Sequence, residues 1–137
     1  MGTNIRPEIA QHNAFYISKH RYYELKHFCM QYPEWKHERA SIDGLLRRGD
    51  GNGRSSRNPD LTAAYAEARA HYTERIDLID KTAEEATNDI FGKMLVKAIT
   101  EEISYGIMIA NGWINCSKEL WYAAYRKFFW LLDKRRK

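Results

Sequence analysis

Very few residues of this chain force a helix to end. Only three prolines occur in 137 residues, and each stands where a helix can begin. No segment longer than a few residues alternates apolar and polar side chains with the period of two that marks a strand. The sequence therefore predicts an all-α fold with an N-terminal helical hairpin, a long central helix and a C-terminal tri-helical helix-turn-helix unit.

The N-terminal hairpin is predicted over residues 7–48. Pro7 opens a first helix that runs to about Tyr32, with a break near Ser18, and Pro33 begins the second helix. The apolar residues of the first helix recur at helical spacing. They are Tyr22, Leu25, Cys29 and Tyr32.

A basic loop and a long helix complete the predicted body, which covers residues 1–87. Residues 47–58 are rich in glycine, serine and asparagine and lack an apolar anchor, so a mobile loop is expected. Residues 59–87 then carry apolar side chains in heptad-like steps, which predicts an amphipathic helix. The loop is a secondary candidate surface for DNA through Arg47, Arg48, Arg54 and Arg57.

The predicted helix-turn-helix unit covers residues 88–137. Asn88 and Ser104 are candidate N-caps of two short helices, and Gly112 suits the left-handed position that ends the second. Ser117 then begins a long basic helix. The helix after Asn88 is expected to bury Ile90, Met94, Leu95, Ala98 and Ile99.

The last helix carries the functional prediction. A short helix, a turn with glycine and a longer helix is the arrangement that places a recognition helix in the major groove. Its packing stripe is predicted as Leu120, Ala124, Phe128, Leu131 and Leu132, supported by Trp121 and Trp130, and its DNA-facing side as Lys118, Tyr122 and Arg126. The full predicted set of DNA contacts is Ser117, Lys118, Tyr122, Arg126, Lys127, Lys134, Arg135, Arg136 and Lys137.

Charge is distributed unevenly around a net value of +4. Residues 113–137 carry seven basic and two acidic side chains, whereas residues 59–112 carry five basic and ten acidic ones. Phosphate would therefore be attracted to the end of the chain and repelled from its middle. A basic helix end also complements the helix dipole, so this charge alone does not decide for DNA.

Several other classes of protein are disfavoured. No apolar run is long enough to span a membrane and no secretory signal is evident, so a protein of the host-cell cytoplasm is expected. Cys29 and Cys116 are far apart and are expected to be reduced. The glycine-rich segment 49–54 lacks the strand and the Gly-Lys-Ser/Thr ending of a phosphate-binding loop.

Neither a metal site nor an enzyme active site is expected. His20, Glu24 and His27 share one helix face, but a fourth ligand is missing because Cys29 lies off that face. The adjacent glutamate pairs diverge on a helix, and no nucleophile stands beside an orienting base. We therefore expect no cofactor and no enzymatic activity.

The sequence also resembles a known family. From Ile76 onward, IDLIDKTAEEATNDIFGKMLVKAITEEISYGIMI and INCSKELWYAAYRKFFWLLDKRR are similar to small phage and prophage proteins of Gram-positive bacteria grouped around the RinA/ArpU late transcriptional regulators. RYYELKHFCMQYPEWKHE, nearer the N-terminus, is similar too, and the likeness covers about 100 residues. The most specific part is the ending, with Cys116, Tyr122, Arg126, Lys127, Phe128 and Phe129 before Leu-Leu and a basic tail.

The resemblance implies a C-terminal helix-turn-helix like that with which sigma factors read promoters, and control of late phage genes. Trp113 and Ile114 make the turn longer and more apolar than a standard one. A different role stays open: an inhibitor or adaptor of a host protein, such as an anti-CRISPR or other anti-defence factor, or a small terminase-like packaging protein. Double-stranded DNA, a host RNA polymerase or defence nuclease, and a second copy in a homodimer are the partners considered.

The aromatic content of the C-terminal region bears on those partners. It exceeds what one small core face can bury, so some of these side chains are expected to be exposed unless a partner covers them. They are Trp113, Trp121, Tyr122, Tyr125, Phe128, Phe129 and Trp130.

Overall fold

A computed structural model describes residues 14–51 and 59–136, with side chains left undescribed over 48–51. This part of the chain contains helices and no strand, which confirms the predicted all-α class. The helices are α1 (Lys19–Cys29), α2 (Tyr32–Gly51), α3 (Pro59–Thr87), α4 (Gly92–Thr100), α5 (Tyr105–Ala110) and α6 (Lys118–Arg135). None of these described helices is long and apolar enough to cross a membrane.

The helices belong to two compact units. The hairpin unit is Tyr32–Asp77, which holds α2 and the first part of α3. The main unit holds α1 together with the chain from Leu78 onward. This division differs from the predicted boundary after residue 87, because α1 packs with the C-terminal helices and the hairpin instead pairs α2 with α3.

Aromatic and aliphatic side chains form the core of the main unit. α1 packs against both α4 and α6. Tyr22, Leu25 and Cys29 of α1 are buried, as their helical spacing predicts. The ring of Tyr22 meets that of Phe129 edge-on at 5.0 Å, so α1 covers a side of α6 that would otherwise face water.

Polar contacts hold the hairpin unit together along its length. Arg69 donates a hydrogen bond to Asp43, and Arg39 donates one of 3.2 Å to Thr73. The hydrogen bond from Arg69 is the main reason that the pKa of Asp43 lies below its usual value. Trp35 is buried, and the guanidinium of Arg75 lies 5.9 Å from its ring centroid.

The predicted signals at the ends of α5 and α6 are confirmed. Ser104 and Ser117 are extended N-cap residues, and each accepts a hydrogen bond from the backbone N–H three residues later. Gly112 has φ +72°, and α5 ends in a Schellman motif. Its two bonds run from the Gly112 N–H to the Ile109 carbonyl at 2.9 Å and from the Trp113 N–H to the Met108 carbonyl at 3.0 Å.

The predicted start of α4 is wrong. Asn88 has φ 53° and is the left-handed residue that ends α3, where the Asp89 N–H bonds to the Glu84 carbonyl at 2.9 Å. The N-cap of α4 is Phe91, which makes no side-chain cap bond. Ile90 precedes the helix and is 77% exposed, so the predicted buried stripe reduces to Leu95, Ala98 and Ile99, with Met94 half-buried.

The predicted start of the basic loop, at residue 47, is wrong. α2 continues to Gly51, so Arg47 is an exposed helical residue and not part of a loop. Backbone hydrogen bonding extends this helix past its last apolar residue, which the composition of the segment does not signal. The side chain of Arg48 and all of Arg54 and Arg57 lie outside the described residues.

We expect two glycines beside α5 to respond oppositely to alanine. Gly112→Ala should lower the free energy of unfolding by about 1–2 kcal/mol, because an L residue is strained at this φ although nothing lies within 4 Å of an added Cβ. Gly106→Ala should raise it by about 0.5–1 kcal/mol, because Gly106 is helical and its added Cβ has only an ordinary contact at 4.0 Å. Urea denaturation followed by circular dichroism measures both, and equal effects would contradict the assignment of the helix end.

Candidate nucleic-acid interface

The first turn of α6 is fixed by the side chain of its N-cap residue, Ser117. The backbone N–H of Leu120 donates to the Ser117 Oγ at 3.1 Å. While it accepts this bond, the Ser117 hydroxyl can still donate its proton to a phosphate, so the predicted DNA contact is compatible with the cap. Lys118, which follows Ser117, is exposed. Leu120 is also exposed, at 52%, and therefore does not join the predicted packing stripe.

Beyond this turn α6 is buried on most of its circumference. Phe91 stacks on Trp121 at 5.4 Å from one side, and Tyr22 meets Phe129 from another. A helix with apolar contacts on several sides belongs to a core and does not lie on its surface. Its buried residues are Trp121, Tyr122, Ala124, Phe128, Phe129, Leu131 and Leu132.

Tyr122 is the main correction to the predicted DNA-facing side. It is 9% exposed, and its ring lies 6.2 Å from that of Tyr105 and 6.1 Å from that of Tyr125. It lines a cavity of about 300 Å³ next to the ion pair between Lys26 and Glu102, whose charged atoms are 3.1 Å apart. Tyr122 is therefore part of the interior and not of the recognition surface.

Two of the tyrosines that line this cavity have raised pKa values. Burial, with a smaller effect from Tyr105 and Tyr22, raises the pKa of Tyr122 above its usual value. Burial likewise raises the pKa of Tyr125, whose hydroxyl shares a hydrogen bond of 2.9 Å with that of Tyr22. The Tyr105 hydroxyl donates to the Cys116 carbonyl at 2.6 Å, which ties α5 to the start of α6.

The basic end of α6 is folded against the main unit. Arg135 donates to the Thr82 hydroxyl at 3.0 Å and pairs with Glu85. The guanidinium of Arg136 lies 3.8 Å from the ring centroid of Phe28, and the Lys134 ammonium lies 4.3 Å from that of Trp130. Arg135 is thus an anchor of the helix, while Lys134 and Arg136 keep exposed charge. Lys137 lies outside the described residues.

Sequence reasoning missed Arg21, which anchors the same end of α6 from α1. Its Nε donates to the Asp133 carboxylate at 2.6 Å, and its guanidinium also donates to the Arg136 carbonyl at 2.7 Å. The Asp133 hydrogen bond is the main reason that the pKa of Arg21 is raised. No local pattern signals this pair, since the two residues are 112 positions apart in the chain.

The surface that α6 leaves accessible is a single stripe. At about 100° per residue, positions 119, 123, 126, 127, 130 and 134 fall on one side of a helix, and all six are exposed or half-buried. Arg126, Lys127 and Lys134 supply its cations, and Glu119 is its carboxylate. Asp133 borders the same side next to Arg126 but is paired with Arg21. The Nε of Arg126 is buried and has no hydrogen-bond partner among the described residues. We call positions 119–134 of this side the basic stripe.

The expectation that some C-terminal aromatic residues are exposed holds for Trp113, whereas the other six residues of that set are buried or half-buried. Trp121, Phe128 and Phe129 are at most 1% exposed, with Phe91 stacked on Trp121 and Tyr22 of α1 against Phe129. Trp113 is 43% exposed, with the Lys97 ammonium 5.1 Å from its ring centroid. Ile114, which follows it in the unusual turn, is buried and anchors that turn to the main unit.

Comparison with known proteins adds no assignment. No protein-family model, curated protein or solved structure matches the chain.

The burial of Tyr122 leads to a stability test within α6. Tyr122→Ala should lower the free energy of unfolding by about 3 kcal/mol, because it opens a cavity among packed rings. Lys118→Ala, one turn earlier and exposed, should change it by less than about 0.5 kcal/mol. Urea denaturation followed by circular dichroism distinguishes them. Similar small effects of both substitutions would place Tyr122 on the surface.

Proposed function

We propose that the protein binds double-stranded DNA through the basic stripe of α6. The single observation that carries the proposal is the composition of this stripe, where Arg126, Lys127 and Lys134 are accessible and Glu119 is the one carboxylate. The other carboxylate of α6, Asp133, is neutralised by Arg21. A helix whose only broad accessible side is basic has the electrostatic character of a phosphate-facing surface.

The surroundings of α6 support this use. α5 and α6 are joined by the seven residues 111–117, and both helices begin at a serine cap. A short helix before a longer, rigidly anchored one matches the order of elements in a helix-turn-helix. The packing of Tyr105 onto the chain before Ser117 keeps this connection close to α5.

The side chains of the basic stripe suit different parts of the DNA, the phosphates and the base edges. Lys127 and Lys134 would contact phosphates, which gives affinity without sequence preference. Arg126 suits the N7 and O6 atoms of guanine, and Glu119 suits the amino group of cytosine. Lys118 lies outside the stripe but at the accessible helix start, where a further phosphate contact is available.

We further propose that the DNA-binding activity serves transcription of phage genes. This step rests on the resemblance to the RinA/ArpU late regulators, whose ending is similar in Cys116, Arg126 and Lys127 among other positions. The target would then be promoter DNA inside the host cell. A gel shift with the DNA flanking the protein's own gene, against an unrelated duplex of equal length, tests this target.

The basic stripe and the helix start beside it are tested together by removing charge without removing length. Lys118→Gln, Lys127→Gln and Lys134→Gln together should make the slope of log affinity against log salt concentration less negative by about 2.7, because each phosphate contact contributes about 0.9. Fluorescence anisotropy with a labelled duplex across a salt series measures this slope.

The matched control is Lys19→Gln, Lys36→Gln and Lys81→Gln, three exposed lysines outside α6. It removes the same total charge and should leave the slope within about one unit of the wild type, since net charge alone acts weakly at a distance in salt. Equal losses in the two triple variants would refute the basic stripe as the DNA-binding surface.

A further inference from the structure

An apolar groove lies beside the start of α6, apart from the basic stripe. It has a volume of about 870 Å³, and its walls come from the α3–α4 connection and from residues 113–116 with Leu120. Three of its large apolar residues face water: Ile90 is 77% exposed, Leu120 52% and Trp113 43%. Isolated apolar residues are ordinary on a surface, but a group around a concave site is typical of an interaction surface.

Ile90 is the most prominent of these residues, and a strained turn places it there. Asn88 and Asp89 both have left-handed backbone angles, with φ of 53° and 67°. Such angles are unfavourable for residues other than glycine, although Asn and Asp tolerate them best. The turn therefore holds an apolar side chain out at the edge of an apolar groove.

Charges of both signs stand on the rim of this groove. Lys93 lies on one part of it, and Glu84 and Asp89 lie on another. All three are exposed, and none forms an ion pair with another described residue. The rim thus carries unpaired complementary charges next to an apolar protrusion and an apolar recess.

We infer that this surface binds a second copy of the same chain across a two-fold axis. An isologous contact requires one surface that complements itself, and an Ile90 protrusion beside a recess meets that requirement. Ile90 of each copy enters the groove of the other, and Lys93 of each copy faces Glu84 of the other. A partner of another kind would need to match only the recess, the Ile90 protrusion or the rim charges. A two-fold contact uses the protrusion, the recess and the charges of both signs together.

The position of the groove leaves the cations of the basic stripe free. Leu120 is in the first turn of α6, while the cations of the stripe begin at Arg126, more than one turn further along. A two-fold dimer would therefore present two basic stripes at once. If the proposed DNA binding holds, its target would be two half-sites related by a two-fold axis. The dimer itself does not depend on that binding and is tested without DNA.

Sedimentation across a protein concentration series tests the apolar part of the contact. The wild type should show a monomer–dimer equilibrium, and Ile90→Asp should weaken it by roughly 100-fold or more, because each dimer loses two buried isoleucines. Ile107→Asp is the matched control, since Ile107 is 52% exposed in α5 and does not line the groove. It should change the dimer affinity by less than about threefold.

Two outcomes would overturn the proposal at this stage. A wild type that stays monomeric at every concentration would mean that another molecule covers the groove. A wild-type dimer that Ile90→Asp leaves intact would mean that the copies meet elsewhere. Because Ile90 is exposed in the monomer, circular dichroism should show Ile90→Asp to be folded, so loss of the dimer would not reflect unfolding.

Charge exchange between chains tests the two-fold geometry. Lys93→Glu alone and Glu84→Lys alone should each weaken self-association at least about tenfold, since each places like charges opposite one another. An equimolar mixture of the two variants should form a heterodimer of near wild-type affinity, because both facing pairs are then opposite in sign. A mixture that stays as weakly associated as its components would exclude this contact.

The reactivity of the Cys116 thiol reports whether the groove is the covered surface. It lines the groove and is partly accessible, whereas Cys29 is fully buried. The rate of Cys116 alkylation by N-ethylmaleimide should fall at least about fivefold as the wild type passes from monomer to dimer, and should not vary with concentration in Ile90→Asp. If the alkylation rate of Cys116 in the wild type does not change as the dimer forms, the dimer leaves the groove open and the proposal is refuted.

Discussion

The packing of α1 against α6 determines what the C-terminal helices can present to other molecules. Tyr22 places its ring against Phe129 and its hydroxyl against that of Tyr125, while Arg21 holds Asp133 at the far end of the helix. One short helix thus supplies both an apolar cover and a charged anchor. Without it, α6 would expose aromatic rings that its neighbours α4 and α5 are too short to cover.

This contact explains which sequence predictions hold. Ser104, Gly112 and Ser117 act within a few residues of themselves, so local patterns suffice to place the ends of α5 and α6. The orientation of α6 depends instead on a helix about 100 positions earlier in the chain. The helix period was right, but the side predicted to face DNA is centred on Tyr122, which α1 and α5 enclose. An apolar side chain on almost every side of α6 was the available signal that this helix is buried.

Contacts within the main unit also determine how much of the charge of the basic tail is accessible. Seven basic side chains in residues 113–137 suggest one large positive surface. Arg135 is instead bound to Thr82 and Glu85, and the charge of Arg136 lies over Phe28. Part of this charge therefore fixes the helix in place, and composition cannot separate that part from the part that remains available to phosphates. Only the three-dimensional pairing shows that Arg135 is bound, while Lys127, Lys134 and Arg136 keep accessible charge.

The turn between α3 and α4 shows how one packing demand can create a second surface. α4 begins at Gly92, where an added Cβ would lie 3.3 Å from the Thr87 hydroxyl oxygen, so the two helices pack closely at this point. The connection to that position is only the four residues 88–91. It uses the left-handed angles at Asn88 and Asp89, and these direct Ile90 away from the core. The geometry explains why residue 90 is exposed but not why it is apolar, because a polar side chain would satisfy the same turn. The proposed two-fold contact supplies a reason for the apolar choice, because it removes Ile90 from water.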